Sequence, residues 1–231
     1  MKSVTLFFLL IISSSCFAGD DPGTLIRNLN KKFKLINDYT AQVYMQFDIP
    51  GVKMKSMNGK VFYKQPDKFR IKAKGIFFLP KQNPMQQVSS MLLDTMSYTS
   101  VISGYETIQG KNCAIVNIIP LKNTSELILG KFWIDLQNPL VYRSQITTRN
   151  SGTLDTESFY SDRSAYALPE KVIIHVEVNK IKVPKMMAAD LNKKSKPKSD
   201  PNIKEKGTII LSFSNYKINT KLDDEVFIKE D

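Results

Sequence analysis

The feature that most constrains this chain is a two-residue alternation of apolar and charged side chains. In "KFRIKAK", Phe69, Ile71 and Ala73 alternate with Lys68, Arg70, Lys72 and Lys74. Successive strand side chains point to opposite faces, so this segment has one dry face and one wet face. In "QVYMQFDI" the dry set is Val43, Met45, Phe47 and Ile49. Related patterns occur in "KVFYKQ", "YETIQGKNCAIVNII", "KFWIDL", "LVYRSQITT", "LDTESFY", "KVIIHVEVNKIKV" and "GTIILSFSNYKI". Within "KVIIHVEVNKIKV" the dry set moves from Val172, Ile174, Val176 and Val178 to Ile181 and Val183, which predicts a bulge or bend. Turn signals at Gln65-Pro66-Asp67, Gly110, Asn138-Pro139, Asn150-Ser151-Gly152 and Leu168-Pro169 separate the segments. About ten strands with short connections predict a mainly antiparallel sheet.

Two segments break this period. After Asp20, Asp21 and Pro22, the residues Leu25, Ile26, Leu29, Phe33 and Ile36 fall on one helical face. In "NPMQQVSSMLLDTMSY", residues 83–98, Met85, Val88, Met91, Leu92 and Met96 also have helical spacing. The polar face of this second helix carries no charge, and Asp94 is its sole charged residue. Its methionines suit either core packing or the lining of a site for irregular apolar ligands. A sheet with one dry face must close on itself, meet a second sheet or curl around helices. Two amphipathic helices are the natural filling for a curled sheet.

Residues 1–18 are expected to be a secretory signal peptide. Lys2 is followed by the apolar run "VTLFFLLII", too short to span a bilayer, and then by Cys16 and Ala18 at the −3 and −1 positions before Gly19. Lipidation of Cys16 is the alternative, disfavoured by Ser13 where such sites carry leucine. Residues 19–231 are expected to form a single domain. Beyond the signal only Cys113 remains, inside "CAIVNII", so no intramolecular disulfide is expected and the thiol reads as core.

The formal net charge is +11, and residues 180–206 hold nine lysines against three acids. The segment 184–206 reads as a mobile basic insertion. It is either solvated or docked on an anionic membrane or partner through Lys185, Met186, Met187, Lys193, Lys194, Lys196 and Lys198. Export argues against nucleic acid as the partner.

Catalytic patterns are absent from the sequence. His175, the only histidine, sits on a strand opposite Val172, Ile174 and Val176. No metal-ligand spacing, phosphate loop or nucleophile elbow occurs, and Asp223, Asp224 and Glu225 read as a solvated run. Neither an enzyme nor a cofactor is expected. A dry face without chemistry points to binding an apolar ligand.

Four stretches, "GKVFYKQPDKFRIKAKG", "YETIQGKNCAIVNIIP", "GKFWIDLQNPLVYRSQI" and "FSNYKINTKLDDEVF", resemble in order and spacing the LolA-like outer-membrane lipoprotein carrier and lipoprotein-sorting superfamily. The resemblance implies an unclosed antiparallel β-barrel, a half-barrel of about ten strands, with helices plugging the concave face. It implies a periplasmic, monomeric carrier that takes acyl chains of lipoproteins or lipids between an inner-membrane transporter and an outer-membrane acceptor. A non-carrier binding module on the same fold, such as an envelope sensor or partner-protein regulator, is the alternative. Classical carriers have an arginine where this chain has Gln65, so their latch does not carry over. The lining expected from the dry strand faces is Met45, Phe47, Phe69, Ile71, Phe132, Ile134, Ile174, Val176, Leu211 and Phe213. The lid is expected to add Met85, Val88, Met91, Leu92 and Met96, while Trp133 faces away from Phe132 and Ile134.

Overall fold

A computed structural model describes residues 20–50, 54–73, 91–122, 126–149, 152–161, 164–177 and 206–228. The first element is helix α1, Pro22–Lys34. The Asp21 carboxylate caps it by accepting from the backbone N–H of Gly23 at 3.2 Å and of Thr24 at 2.8 Å. Pro22 needs no such partner at the first helical position. Lys31, Lys32 and Lys34 in the last turn complement the carbonyl end.

Ten strands follow: β1 (Asp38–Asp48), β2 (Met57–Lys64), β3 (Lys68–Ala73), β4 (Tyr98–Ile108), β5 (Lys111–Pro120), β6 (Leu127–Asp135), β7 (Val141–Thr148), β8 (Gly152–Phe159), β9 (Lys171–Glu177) and β10 (Lys206–Ile218). They form one antiparallel sheet in the order β3-β2-β1-β10-β9-β8-β7-β6-β5-β4. The sheet is not closed: its edges are β3 and β4, two strands consecutive in sequence. β1 pairs with β10, which sets the two ends of the strand series side by side. This is the expected mainly-β half-barrel.

Register aligns one inner row across eight strands. Ile102, Val116, Phe132, Ser144, Thr156, Ile174, Ile209 and Phe47 are successive cross-strand partners. Six of these eight are apolar, so the inner face is dry apart from the central pair on β7 and β8.

Two sequence expectations are corrected. The strand expected from Tyr105 begins at Tyr98. A register shift between Ile102 and Gly104 interrupts the alternation there, and Ser100, Ser103 and Gly104 hide the strand character. Ile36, expected on the α1 face, lies beyond the helix end and packs with β1 instead. The shift expected near Val178 lies outside the described residues.

The chain end seals the bottom of the sheet. Buried Asp38 accepts from the Thr220 N–H at 2.8 Å, the Thr220 hydroxyl at 3.1 Å and the Lys221 N–H at 2.9 Å. Three donors satisfy a carboxylate that would otherwise be costly to bury. Asn219 takes a left-handed backbone (φ 57°), and its side chain accepts from Asn37 N–H and donates to the Leu35 carbonyl. Beyond it a 3-10 turn, Asp224–Phe227, lies against β3. The acidic run expected to be solvated is in part engaged: Asp223 caps this turn, and Asp224 stands 2.7 Å from both Lys64 and Lys68.

The two lysines, Lys64 first, hold the Asp224 carboxyl down to about 2. A depressed carboxylate contributes stability above its ordinary value, and that contribution is lost as pH falls from about 3.8 through about 2. Acidification across that window should release the C-terminal turn, read as faster amide exchange at Val226 and Phe227. Asp224→Asn should produce the same loosening at neutral pH.

Candidate functional site

The inner face carries two apolar clusters. In the first, Leu25, Ile26 and Leu29 of α1 pack on Ala114, Val116, Ile118, Phe132, Ile134 and Ile146, with Leu92 between them. The helix thus fills the half of the trough made by β4 to β7. Residues 91–93 are helical, and the Leu92 carbonyl accepts from Asn30 Nδ2 at 2.7 Å and from the Tyr98 hydroxyl at 2.9 Å. Burial, then the nearby Asp94 carboxylate, pushes the Tyr98 phenol up to about 12, so it stays a donor. Gly130 lets this turn approach the sheet: a Cβ there would meet the Phe132 ring at 2.7 Å and Met91 Sδ at 3.2 Å.

The second cluster occupies β1, β2, β9 and β10. Val43, Met45, Val61, Val172, Ile174, Ile209 and Leu211 are buried, and Phe47, Phe69, Ile71, Val176 and Phe213 pack against them. An aromatic group closes its lower end. Tyr39 lies 5.2 Å from Tyr63 and 5.7 Å from Tyr216, and Phe213 lies 6.2 Å from Tyr216. The Tyr216 hydroxyl donates to the Pro169 carbonyl at 2.7 Å. Among the described residues, no α1 side chain belongs to this cluster.

Between the two halves run the buried residues Ser144, Thr156 and Ser158. The hydroxyls of Ser144 and Thr156 are 2.7 Å apart, and mutual hydrogen bonding allows them to sit inside an apolar face. The trough therefore has an α1-filled half, a narrow hydroxyl seam and an aromatic-ended half.

The outer face differs. Trp133 packs with Cys113, Leu140, Tyr142 and Ala167 in a third cluster, on the side opposite Phe132 and Ile134 as expected. Its indole N–H donates to Glu106 at 2.5 Å, and Lys131 and Arg143 lie over its ring. Burial alone would raise the Asp155 carboxyl, but hydrogen bonds from Arg143 and Gln145 and the Arg143 charge hold it below its ordinary value. His175 pairs with Glu157 at 3.0 Å on this face. Among the described residues, no group of three or more His, Cys, Asp or Glu side chains is placed to hold a metal. Nor is any described helix long and apolar enough to cross a membrane.

The structure divides the expected lining residues. Met45, Phe47, Phe69, Ile71, Ile174, Val176, Leu211 and Phe213 fall together in the second cluster. Met91, Leu92, Phe132 and Ile134 belong to the α1-covered cluster. Met96 is a correction: it is 86% exposed. The helix stops at residue 93, and a turn closed by Ser97 N–H donating to the Asp94 carbonyl carries Met96 outward. Met85, Val88 and the insertion residues Lys185, Met186, Met187, Lys193, Lys194, Lys196 and Lys198 lie outside the described residues. Gln65 donates to the Phe33 carbonyl at 3.3 Å, so that position contacts the end of α1. The sequence reading missed Tyr39, Tyr63 and Tyr216. The alternation already placed Tyr39 in phase with Val43 and Met45, which was the available signal.

An unclosed antiparallel trough with a helix laid inside it is the class of architecture this chain adopts. A LolA superfamily protein from Nitrosomonas europaea superposes with a TM-score of 0.56 at 11% identity, over 91% of this chain and 99% of that one. A DUF1329 family protein from Desulfovibrio piger gives 0.53 at 12% identity, over 89% and 95%. A putative outer-membrane lipoprotein-sorting protein domain from Vibrio parahaemolyticus gives 0.52 at 10% identity, also over 89% and 95%. No protein-family model matches the sequence, and no curated protein matches it significantly. The chain has a LolA-like fold.

Two outcomes follow from the packing. Phe132→Ala removes a fully buried ring from beneath α1 and should cost about 3–5 kcal/mol in denaturant unfolding. Burial, then the Asp135 and Glu106 carboxylates opposed by one backbone hydrogen bond, leaves the Cys113 thiol pushed up to about 11. A thiol reagent at neutral pH should leave Cys113 unmodified in the native protein and label it once the protein is unfolded.

Proposed function

We propose that this chain is a periplasmic carrier that holds acyl chains of lipids or lipoproteins in the half-trough of β1 to β3, β9 and β10. The observation that carries this reading is the division of the inner face. One half is filled by α1, while the other is an apolar surface from Met45 and Phe47 to Phe69 and Ile71 with no α1 side chain among the described residues. Such a surface recognises chain length and little else, because it offers no charge. Each methylene taken from water contributes about 0.8 kcal/mol, so a chain of roughly ten methylenes gains about 8 kcal/mol before ordering costs. Without a polar anchor, release to a membrane or acceptor breaks no strong bond.

One observation favours a non-carrier module on the same fold. Met45, Val61 and Ile174 have no exposed surface, so the floor of this half is already packed. A sensor or regulator would keep it so and act through a protein partner.

The two readings separate in one set of measurements. The carrier reading predicts co-purified lipid by native mass spectrometry and saturable uptake of a fluorescent fatty acid. Ile71→Glu, at a half-buried position on edge strand β3, should weaken that uptake at least about tenfold. Phe69→Ala should weaken it less, and both variants should keep near-native melting. Absence of lipid and of uptake, with a stable complex recovered from envelope extract, would establish the module instead.

A further inference from the structure

We propose that a bar of aromatic rings across the lower end of the second cluster sets the length of acyl chain this half of the trough admits, an inference that rests on the carrier reading above. Register lines up Phe69 of β3, Tyr63 of β2, Tyr39 of β1 and Ile218 of β10 as successive cross-strand partners. The bar therefore lies across the strands, and across the path of any chain running along them. Two residues up, the corresponding positions on β3, β2 and β1 are Ile71, Val61 and Ala41. Two residues further, they are Ala73, Gly59 and Val43. Side-chain bulk on this wall thus falls with each step away from the bar.

The bar is stiff where the wall above it is adaptable. Tyr39 is buried and held between two rings, 5.2 Å from Tyr63 and 5.7 Å from Tyr216. The Tyr216 hydroxyl is itself tied to the Pro169 carbonyl at 2.7 Å. Backbone closes the trough behind the bar: the Gln65 N–H donates to the Asn37 carbonyl at 2.8 Å, and Ile36 packs into the same cluster. A flat ring has few rotamers and cannot shorten, so rings packed on one another yield little to a ligand. Met45 is different. It is unbranched, and its Cε stands 3.2 Å from where a Cβ on Gly59 would lie, in the room the glycine leaves. Rotation of that thioether opens the wall beside Gly59 and Ala73 with no movement of backbone.

The dimensions agree with a chain laid between these two levels. At about 3.3 Å per residue, Val43 and Met45 lie roughly 13 and roughly 20 Å up β1 from Tyr39. The acyl chain of one leaflet spans about 15 Å, half the hydrocarbon core of a bilayer. With its methyl end on the bar, such a chain places its polar end between the Val43 and Met45 rows. β3 is an open edge of the sheet, so the polar end meets solvent there. Shorter chains leave ring surface uncovered, and longer ones meet the bar before they are fully buried.

The test is displacement of a bound fluorescent fatty acid from protein starting at Gly19, which keeps every described residue. The competitors are an even-numbered series of saturated fatty acids from octanoate to docosanoate. In wild type, affinity should climb about fourfold per methylene and then stop climbing at a definite length. Tyr63→Ala removes the half-buried middle ring. It should raise the affinity of the first chain beyond that length, relative to the last chain within it, at least about fourfold. Tyr63→Phe keeps the ring and should keep the wild-type limit. Ile71→Phe adds a ring one row above the bar and should move the limit to shorter chains, which keeps the assignment testable if the alanine variant does not fold. Melting curves establish the folding of each variant. A limit that stays put in folded Tyr63→Ala or folded Ile71→Phe would overturn the assignment, as would one that moves in Tyr63→Phe. So would affinity that climbs through the whole wild-type series, or a loss in Tyr63→Ala that is equal at every length. Uptake of no chain at all by wild type would instead overturn the carrier reading, and this inference with it.

Discussion

An open sheet with a dry inner face has to be covered, and everything else in this fold answers that requirement. Pairing β1 with β10 places the ends of the strand series at the sheet's interior, which pushes the unpaired edges onto β3 and β4. Because those strands are neighbours in sequence, the chain between them links the two open edges. α1 supplies the cover over β4 to β7, where Leu25, Ile26 and Leu29 meet Phe132 and Ile134. Each such side chain taken from water contributes roughly 1.5–3 kcal/mol, so the helix is held by packing on the sheet more than by its own propensity. The same helix does not extend its side chains to the β1, β9 and β10 cluster, and that asymmetry is what makes one half of the trough a candidate for a guest.

How far this was legible depended on how local each signal is. The period of two is local, and it placed Met45, Phe69, Ile71, Ile174, Leu211 and Phe213 on one face correctly. Where the period is disturbed, the reading failed. Ser100, Ser103 and Gly104 masked the first half of β4, and a helical count carried on to Met96 after the helix had ended at residue 93. The partition into two clusters is not local at all. Nothing in the spacing of Phe132 or Ile174 states which of them α1 will cover, since that depends on where the helix lies in three dimensions. Ser144 and Thr156 are polar by type, yet both are buried, because their hydroxyls face each other across β7 and β8 and satisfy one another. Asp224 read as solvated because its partners, Lys64 and Lys68, are distant in sequence and adjacent only through the β2–β3 hairpin.

The two open edges are defended unequally, and the difference is physical. An unpaired strand edge invites another strand, and cations, bulges or a covering segment discourage it. β3 carries Lys68, Arg70 and Lys72 within Lys68–Ala73, and the C-terminal turn lies against it. β4 runs for 11 residues with Glu106 as its one charged side chain, and that carboxylate is committed to the Trp133 indole. Its defence is the register shift between Ile102 and Gly104, which breaks the run of ladder positions a foreign strand would need. Removing the shift would straighten the least charged edge of the sheet beside exposed Val101 and Tyr105. The irregularity that hid β4 in the sequence is therefore also what discourages a foreign strand from pairing with this edge.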